Sequence, residues 1–562
     1  MEKGNKKLIW FLIFLLSIPA IWALLVPGFY GASDDLHIAW LFEFHKSLLM
    51  GKIPPRFVPD LSFNFGYPLF NFVFPLPFYI SEIFHLIGFN LVDSIKLLFL
   101  LSIPLSGIFM YFLLREFCSR ALSLTGAILY IYTPYRSVDI YVRGAIGEVL
   151  SFVFLPLIIL SVIKLKKEQS LKWVGFGSLA FASLVLSHNI TAYMLFPFVA
   201  LLFFFQIFLP GDKKGFILRS VLTIILSLLI SLFFWLPAIM ESSLMKYDTV
   251  FNFVDHFPTL LQLITPYWGY GASVPGPYDG MSFFLGVVNL LLLLVGLIST
   301  IIFWKKLSSE VKALLGWSLG SIFIAVFLMN YRSIFIWNIV PLLPYFQFPW
   351  RFLMLTTFLI PILIVSVEKI KINSWLIASI LITLNIVTTG LDFRPQDFLG
   401  RQDNYYLNRY VPTPLASKEY LQIQEEYLRL PKWSEKRPDQ NYPLVIARNA
   451  TIEKITKLND LDTTFNIETS NKASVDYNKY FFPGWEVKID GKQTKIYPGI
   501  PFGQISFEVP PGSYKVDVKF KETNFKVALD AISLLAFLVS LSLSKNIWGF
   551  LKLFGRKTGL SL

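Results

Sequence analysis

Long runs of apolar residues recur along the whole chain, from Leu8 to Val26, Leu97 to Leu114, Ala121 to Tyr132, Val149 to Ile163, Trp173 to Leu186 and Ile190 to Phe208. They continue at Phe216 to Trp235, Phe283 to Trp304, Ala313 to Met329, Phe352 to Val367, Trp375 to Gly390 and Val527 to Leu543. A hydrocarbon core roughly 30 Å thick is crossed by about 20 apolar residues in a helix, so this repetition predicts a polytopic α-helical membrane protein with about 12 transmembrane helices. A chain of 562 residues could otherwise hold several soluble domains, but 55% apolar against 15% charged excludes most soluble architectures. The single cysteine, Cys118, excludes an intrachain disulfide, a cysteine-based zinc site and a CxxC redox centre.

The net charge of +13 is informative through its placement. One set of loops carries Lys3, Lys6, Lys7, Arg115, Arg120, Lys164, Lys166, Lys167, Lys172, Lys213, Lys214 and Arg219. It continues with Lys305, Lys306, Lys312, Lys369 and Lys371, and with Lys545, Lys552, Arg556 and Lys557 after the last run. Alternation of this kind places those loops, and both termini, in the cytoplasm of a plasma membrane protein. The charge therefore reads as an orientation signal, and nucleic acid is not an expected partner. The segment Leu69 to Gly88 holds Pro75, Pro77 and Glu82, and counting it as a crossing would turn every later Lys-rich loop outward. It is read as re-entrant or interfacial. The opposite loops are longer and rich in Pro, Trp and Tyr, which suits a site on the outer face.

Residues 1–391 thus read as a transmembrane module, in which 28–93 form a first outer loop with an acidic motif. Residues 392–525 read as an extracytoplasmic domain, β-rich in its last third and sandwich-like. Trp485, Val487 and Ile489 alternate with polar residues before Asp490-Gly491, a dipeptide favoured in tight hairpins. Ile505, Phe507 and Val509, then Tyr514, Val516, Val518 and Phe520, repeat the pattern. Residues 526–562 supply the last helix and a basic tail.

Candidate chemistry gathers at the outer ends. Gly31-Ala32-Ser33-Asp34-Asp35-Leu36-His37 offers two carboxylates near the membrane surface, able to act as a general base or to hold a divalent cation such as Mg or Mn. Alternatively Ser33 caps a helix whose first turn carries both acids. Tyr67 lies in an aromatic, Pro-punctuated continuation of that loop, a groove wall or an interfacial anchor. In the next outer loop, Arg143 presents a fork of donors suited to phosphate oxygens, or pairs with Asp139 or Glu148. Ser187-His188-Asn189 interrupts two runs as a tight turn or a broken helix lining a cavity. Trp268 with Asp279, and Arg351 within Phe348-Pro349-Trp350-Arg351-Phe352, complete the set as sugar-stacking, polar and anion-binding candidates, or as interfacial residues. No P-loop, GxSxG, HExxH or GxGxxG pattern occurs in a credible setting.

Several of these stretches together resemble a known group of proteins. The acidic loop, Phe-Gly-Tyr-Pro-Leu-Phe-Asn-Phe at 65–72, Tyr-Val-Arg-Gly-Ala-Ile-Gly-Glu at 141–148 and Leu-Ser-His-Asn at 186–189 carry the likeness. So do Pro-Tyr-Trp-Gly-Tyr at 266–270, Phe-Pro-Trp-Arg-Phe at 348–352 and Phe-Phe-Pro-Gly-Trp-Glu-Val-Lys-Ile-Asp-Gly-Lys at 481–492. They resemble bacterial and archaeal membrane proteins labelled 6-pyruvoyl-tetrahydropterin synthase-related, which with the YfhO-type family are similar to GT-C glycosyltransferases. The resemblance implies a GT-C-like fold and an inverting transfer of a sugar, hexose or pentose, from a polyprenyl-phosphate-linked donor to a cell-envelope glycan, lipid or protein. It implies an acidic catalytic residue in the first outer loop. Asp35 is matched to it, with Asp34 as support or alternative. His37, Tyr67, Arg143, Glu148, His188, Trp268, Asp279 and Arg351 take no role from the resemblance and are read as substrate-binding candidates. The three-histidine zinc cluster of a soluble pterin synthase is not recognisable among the five histidines. A lipid-linked glycan transporter and a non-catalytic assembly factor are the competing classes.

Overall fold

The computed structural model describes residues 4–246, 252–411 and 429–553. The tail after the last apolar run, where Trp548, Phe550, Leu551, Leu553 and Phe554 mix with Lys552, Arg556 and Lys557 and the sequence predicts an interfacial helix, lies outside the side chains so described. Among the described residues nine helices are long and apolar enough to cross a membrane, and the pair Lys213–Ile230 and Leu232–Leu244 passes the same test as one span bent by 67°. The remaining two runs fall on shorter apolar helices, Arg120–Ile131 and Leu171–Ser187. The chain is thus a multi-pass membrane protein. Leu69 to Gly88 forms two short helices, Leu69–Phe72 and Leu76–Leu86. The longer, about 16 Å by helical rise, is half the thickness of a hydrocarbon core.

The helix Ile146–Lys167 and the segment 349–367 are almost wholly buried, whereas 374–392 and 524–545 leave most of their apolar surface to lipid. Polarity divides along Ile146–Lys167. Glu148 sits in its first turn; at its far end Lys164 lies 2.7 Å from Glu116, Lys167 2.8 Å from Glu310, and Lys172 2.6 Å from Glu168. These ends are about 27 Å apart at 1.5 Å per residue.

The bend falls at Ser231, between the two helices. In the second of them Pro237 has no N–H to give the carbonyl four residues back, which is that of Phe233. Arg56, in the loop after the first span, donates to this carbonyl at 2.8 Å and to Asp530 of the last helix at 2.5 Å. The Phe233 N–H, unpaired near a helix start, donates to Ser533 Oγ at 3.0 Å.

Among the described residues nine strands form two antiparallel sheets, β1(Val445–Arg448)-β4(Ala473–Tyr480)-β8(Gln504–Val509)-β7(Tyr497–Pro498) and β2(Thr451–Asn459)-β3(Asp462–Thr469)-β9(Gly512–Phe520)-β5(Trp485–Ile489)-β6(Lys492–Gln493). Their inner faces bury Phe465, Val475, Tyr477, Val487, Phe507, Val516 and Val518. The expected Asp-Gly hairpin is present between β5 and β6, with positive φ at both Asp490 and Gly491. Strands begin at Val445, well before the stretch where alternation was legible.

The loop after the first span joins sandwich to helices. Phe57, 1% exposed, packs against Trp485 and Phe520 at centroid distances of 5.6 and 5.0 Å. Lys46 bridges Asp60 of the loop and Asp460 of the sandwich at 2.6 and 2.5 Å, and Tyr480 donates its N–H to the Phe65 carbonyl at 2.8 Å. Truncating Phe57 to Ala removes a large side chain from a closed interface. We expect it to cost about 3–5 kcal/mol and to lower the unfolding midpoint in detergent, with Phe57→Leu retaining most of the stability.

Candidate functional site

The site begins with a backbone irregularity. After the short helix Pro134–Ser137 the chain makes a π-helical turn, Val138–Arg143, closed by Gly144 at φ +70°. A Cβ on Gly144 would stand 3.1 Å from that of Ala32, in a left-handed backbone that disfavours other residues. Against this turn lies the acidic loop: Ser33 N–H donates to the Val142 carbonyl at 3.1 Å and Asp34 N–H to the Arg143 carbonyl at 2.7 Å. The expected Ser33 cap does not form, because the next helix starts at His37 behind Leu36.

Glu148 is the centre of an ion cluster. Arg143 donates to both its carboxylate oxygens, at 2.9 and 2.8 Å, and also to Asp139 at 2.5 Å. Arg351 places Nε 3.2 Å from Glu148 Oε1 and donates Nη1 to the Phe346 carbonyl and to Gln347 Oε1. Tyr135 donates to Glu148 at 2.8 Å, and Arg143 stacks over the Trp350 ring at 4.8 Å. Bidentate pairing and cation–π stacking compensate a desolvated guanidinium here. Arg351 Nη2 has no intramolecular partner among the described residues.

The two neighbouring aspartates face different surroundings. Asp34 is half-buried, has no hydrogen-bond or ion-pair partner among the described residues, and feels the charges of Arg143, Glu148 and Arg351. Burial raises its pKa above the usual carboxylate value, Arg143 opposes this, Glu148 adds to it and Arg351 opposes it, leaving a net rise. Asp35 accepts from the Tyr410 hydroxyl at 2.5 Å and lies 3.8 Å from Arg401. Its pKa is also raised, by burial first, against the pull of Tyr410, Arg409 and Arg401.

The other predicted residues are dispersed. His37 is held neutral by burial, its pKa lowered to about 3, with its ring against Trp40 and Phe78. His188 is the single extended residue between two helices; its Nδ1 accepts from the Thr191 N–H at 3.3 Å, which caps the second helix. It remains within electrostatic reach of Glu148 and Arg351. Tyr67 accepts from the Arg429 N–H at 2.9 Å and belongs to the loop–sandwich junction. Asp279 accepts from Gln262 and from the Val274 N–H, stapling its own loop. Trp268 is partly exposed and edge-on to Tyr270, whose hydroxyl donates to the Arg394 carbonyl.

Among the described residues no group of three or more His, Cys, Asp or Glu converges as a metal site. Sequence reading missed Tyr410 and Arg401, which reach Asp35 from more than 360 positions away, and Tyr135, which gave no signal beyond its place in a noted loop.

No family model matches the chain. An uncharacterized protein of Lactococcus lactis subsp. cremoris is 26% identical over 212 residues, a stretch that spans 36% of this chain and 34% of that relative. Among solved structures, the Archaeoglobus fulgidus oligosaccharyltransferase in its apo form aligns with a TM-score of 0.47 at 13% identity, over 75% of this chain and 60% of that one. The arabinofuranosyltransferase AftD from Mycobacteria aligns at 0.46 and 11%, over 70% of this chain and 27% of that one. The oligosaccharyltransferase AglB of A. fulgidus, in complex with an inhibitory peptide and a dolichol-phosphate, aligns at 0.45 and 14%, over 72% and 60%. Likeness at this level assigns no reaction to this chain.

Removing Glu148 leaves two buried guanidiniums facing each other. Glu148→Gln is expected to destabilise the protein by about 3–5 kcal/mol, measured as thermal unfolding in detergent.

Proposed function

We propose that the protein is a membrane glycosyltransferase of GT-C type that transfers a sugar from a polyprenyl-phosphate-linked donor to an acceptor hydroxyl outside the cytoplasm, with inversion. The observation that carries this reading is Asp34. It is a carboxylate without an internal partner, poised above two arginines at the end of the bundle opposite the Lys-rich loops. The loop charges orient that end outward in a plasma membrane. Motif resemblance supports the reaction class; we assign the base to Asp34 in place of Asp35, and the pairing of Asp35 with Tyr410 and Arg401 supports that choice.

In this reaction Asp34 accepts the proton of the acceptor hydroxyl as its oxygen bonds to the anomeric carbon. The bond from that carbon to the phosphate oxygen breaks on the opposite face, and its electron pair leaves with the lipid phosphate. Arg351 Nη2, and Arg143 through its charge, stabilise the departing phosphate in a setting largely withdrawn from water. Trp268 offers its half-exposed indole to the sugar. Because the donor is already activated, no nucleotide site is needed. Envelope glycan, lipid and protein acceptors all fit this chemistry.

Transfer from a labelled polyprenyl-phosphate sugar, measured in membranes, tests the assignment. Asp34→Asn is expected to lose about 10²–10⁴-fold in rate, with the protein still folded. Wild-type activity in that variant removes the mechanism.

The pH profile is a separate check. A base works ionised, and burial lifts the Asp34 pKa. The acidic limb of kcat/KM should therefore inflect above the ordinary aspartate value of about 3.9, activity rising with pH through it. A limb at or below that value contradicts the desolvated setting.

A further inference from the structure

At the other end of the bundle, the run Lys164, Lys166, Lys167 treats its three cations unequally. Lys164 and Lys167 each meet a carboxylate, whereas Lys166, 8% exposed, has an Nζ shielded from solvent with no hydrogen-bond partner among the described residues. That Nζ lies 5.5 Å from the centroid of the Phe216 ring, in the first turn of the helix Lys213–Ile230. Two more donors on the same turns are buried and unsatisfied, Arg219 Nε and Ser220 Oγ. Ser220 follows Phe216 by four residues and so shares its helix face. Gly215 leaves room for Arg219 to fold back over the helix start, since a Cβ there would stand 2.8 Å from Arg219 Nη1.

The charges do not balance. Lys166 is within electrostatic reach of Lys213 and Arg219, and Asp212 is the one acid acting on it among the described residues. Asp212 is already spent twice: one oxygen caps the helix by accepting from the Gly215 N–H at 2.8 Å, the other lies 3.5 Å from Arg219. The chain beyond Asp530 adds no acidic side chain, for residues 531–562 contain neither Asp nor Glu. Three cations, a positive helix N-terminus and orphaned buried donors at one spot call for an anion with several acceptor oxygens.

We propose that Lys166, Arg219 and the N-terminus of the helix Lys213–Ile230 form a phosphate-binding site for the headgroup of an anionic phospholipid. The site lies about 27 Å along the Ile146–Lys167 helix from Glu148, at the opposite membrane boundary. A phosphodiester there is delivered by the bilayer itself, with its acyl chains alongside the exposed Leu218, Val221 and Ile225. The proposal is independent of the sugar-transfer reading.

Native mass spectrometry of the full chain in detergent, titrated with phosphatidylglycerol, phosphatidylcholine or inorganic phosphate, tests it. Phosphatidylglycerol should bind in preference to phosphatidylcholine. Lys166→Gln and Arg219→Gln should each weaken it about fivefold, the effect of one basic residue near an anionic surface. Lys166→Arg should keep it, and Lys305→Gln, an exposed lysine in another basic loop, should leave it unchanged. If Lys166→Gln fails to fold, Arg219→Gln carries the comparison. Equal binding of the two lipids, or equal loss in Lys166→Gln and Lys305→Gln, overturns the proposal. Tight inorganic phosphate binding without preference for phosphatidylglycerol overturns the lipid source.

Discussion

Glu148 holds two guanidiniums in a place where none of the three charges could stand alone. A desolvated carboxylate or guanidinium costs several kcal/mol, and only close, hydrogen-bonded pairing offsets it. Arg143 comes from the π-helical turn, Glu148 from the start of the central helix and Arg351 from the segment entering the second fully buried span. Satisfying one carboxylate therefore fixes three separate stretches of chain. The acidic loop is positioned next, because Asp34 hangs its N–H on the carbonyl of Arg143 itself. The location of the candidate base is a consequence of the ion cluster, and the π-helical turn makes the Arg143 carbonyl available to it.

What could be read from sequence was what depends on local chemistry. Apolar runs, the Lys comb and the alternation from Trp485 to Phe520 are each set by neighbours in the chain, and each corresponds to a helix, a basic helix end or a strand. Arg143 pairing with Glu148 and Asp139 was legible for the same reason, as all three lie within ten residues. The contacts that were not legible are long-range. Tyr410 on Asp35, Arg56 on the Phe233 carbonyl and Phe57 under Trp485 join segments 177 or more positions apart. Among the early strands, β2 hid because it shows no alternation of burial; its side chains are all exposed or half-exposed at the sheet edge. Tyr67 and Asp279 drew attention as polar or amphipathic residues at an interface, yet each is occupied by holding a junction or a loop together.

The loop after the first span is an element of two sides. From Phe57 to Tyr67 it is packed into the sandwich; from Phe29 to Asp35 it pairs with the helical module and with residues 397–410, including reciprocal hydrogen bonds between Phe29 and Arg401. A loop of this length left free would carry a large conformational entropy. Here that cost is met at both ends by apolar burial and buried hydrogen bonds. The sandwich, which supplies no residue of the Glu148 cluster, stiffens the loop on which Asp34 sits.

Asp34 and Asp35 follow one another in a turn, yet they meet different neighbours. Each feels its own set of cations, Arg143 and Arg351 for one, Arg401 and Arg409 for the other. The loop then stands as a ridge between two basic walls, one built from the transmembrane helices and one from the segment Asp403–Tyr410. On the helical side the carboxylate is open and a guanidinium edge is vacant; on the other, Tyr410 closes the carboxylate off and Arg401 stacks on Tyr405 at 4.1 Å. The proposed chemistry uses the first side, and the second side ties the loop down, a division made by which neighbours fold over each acid and not by the acids themselves.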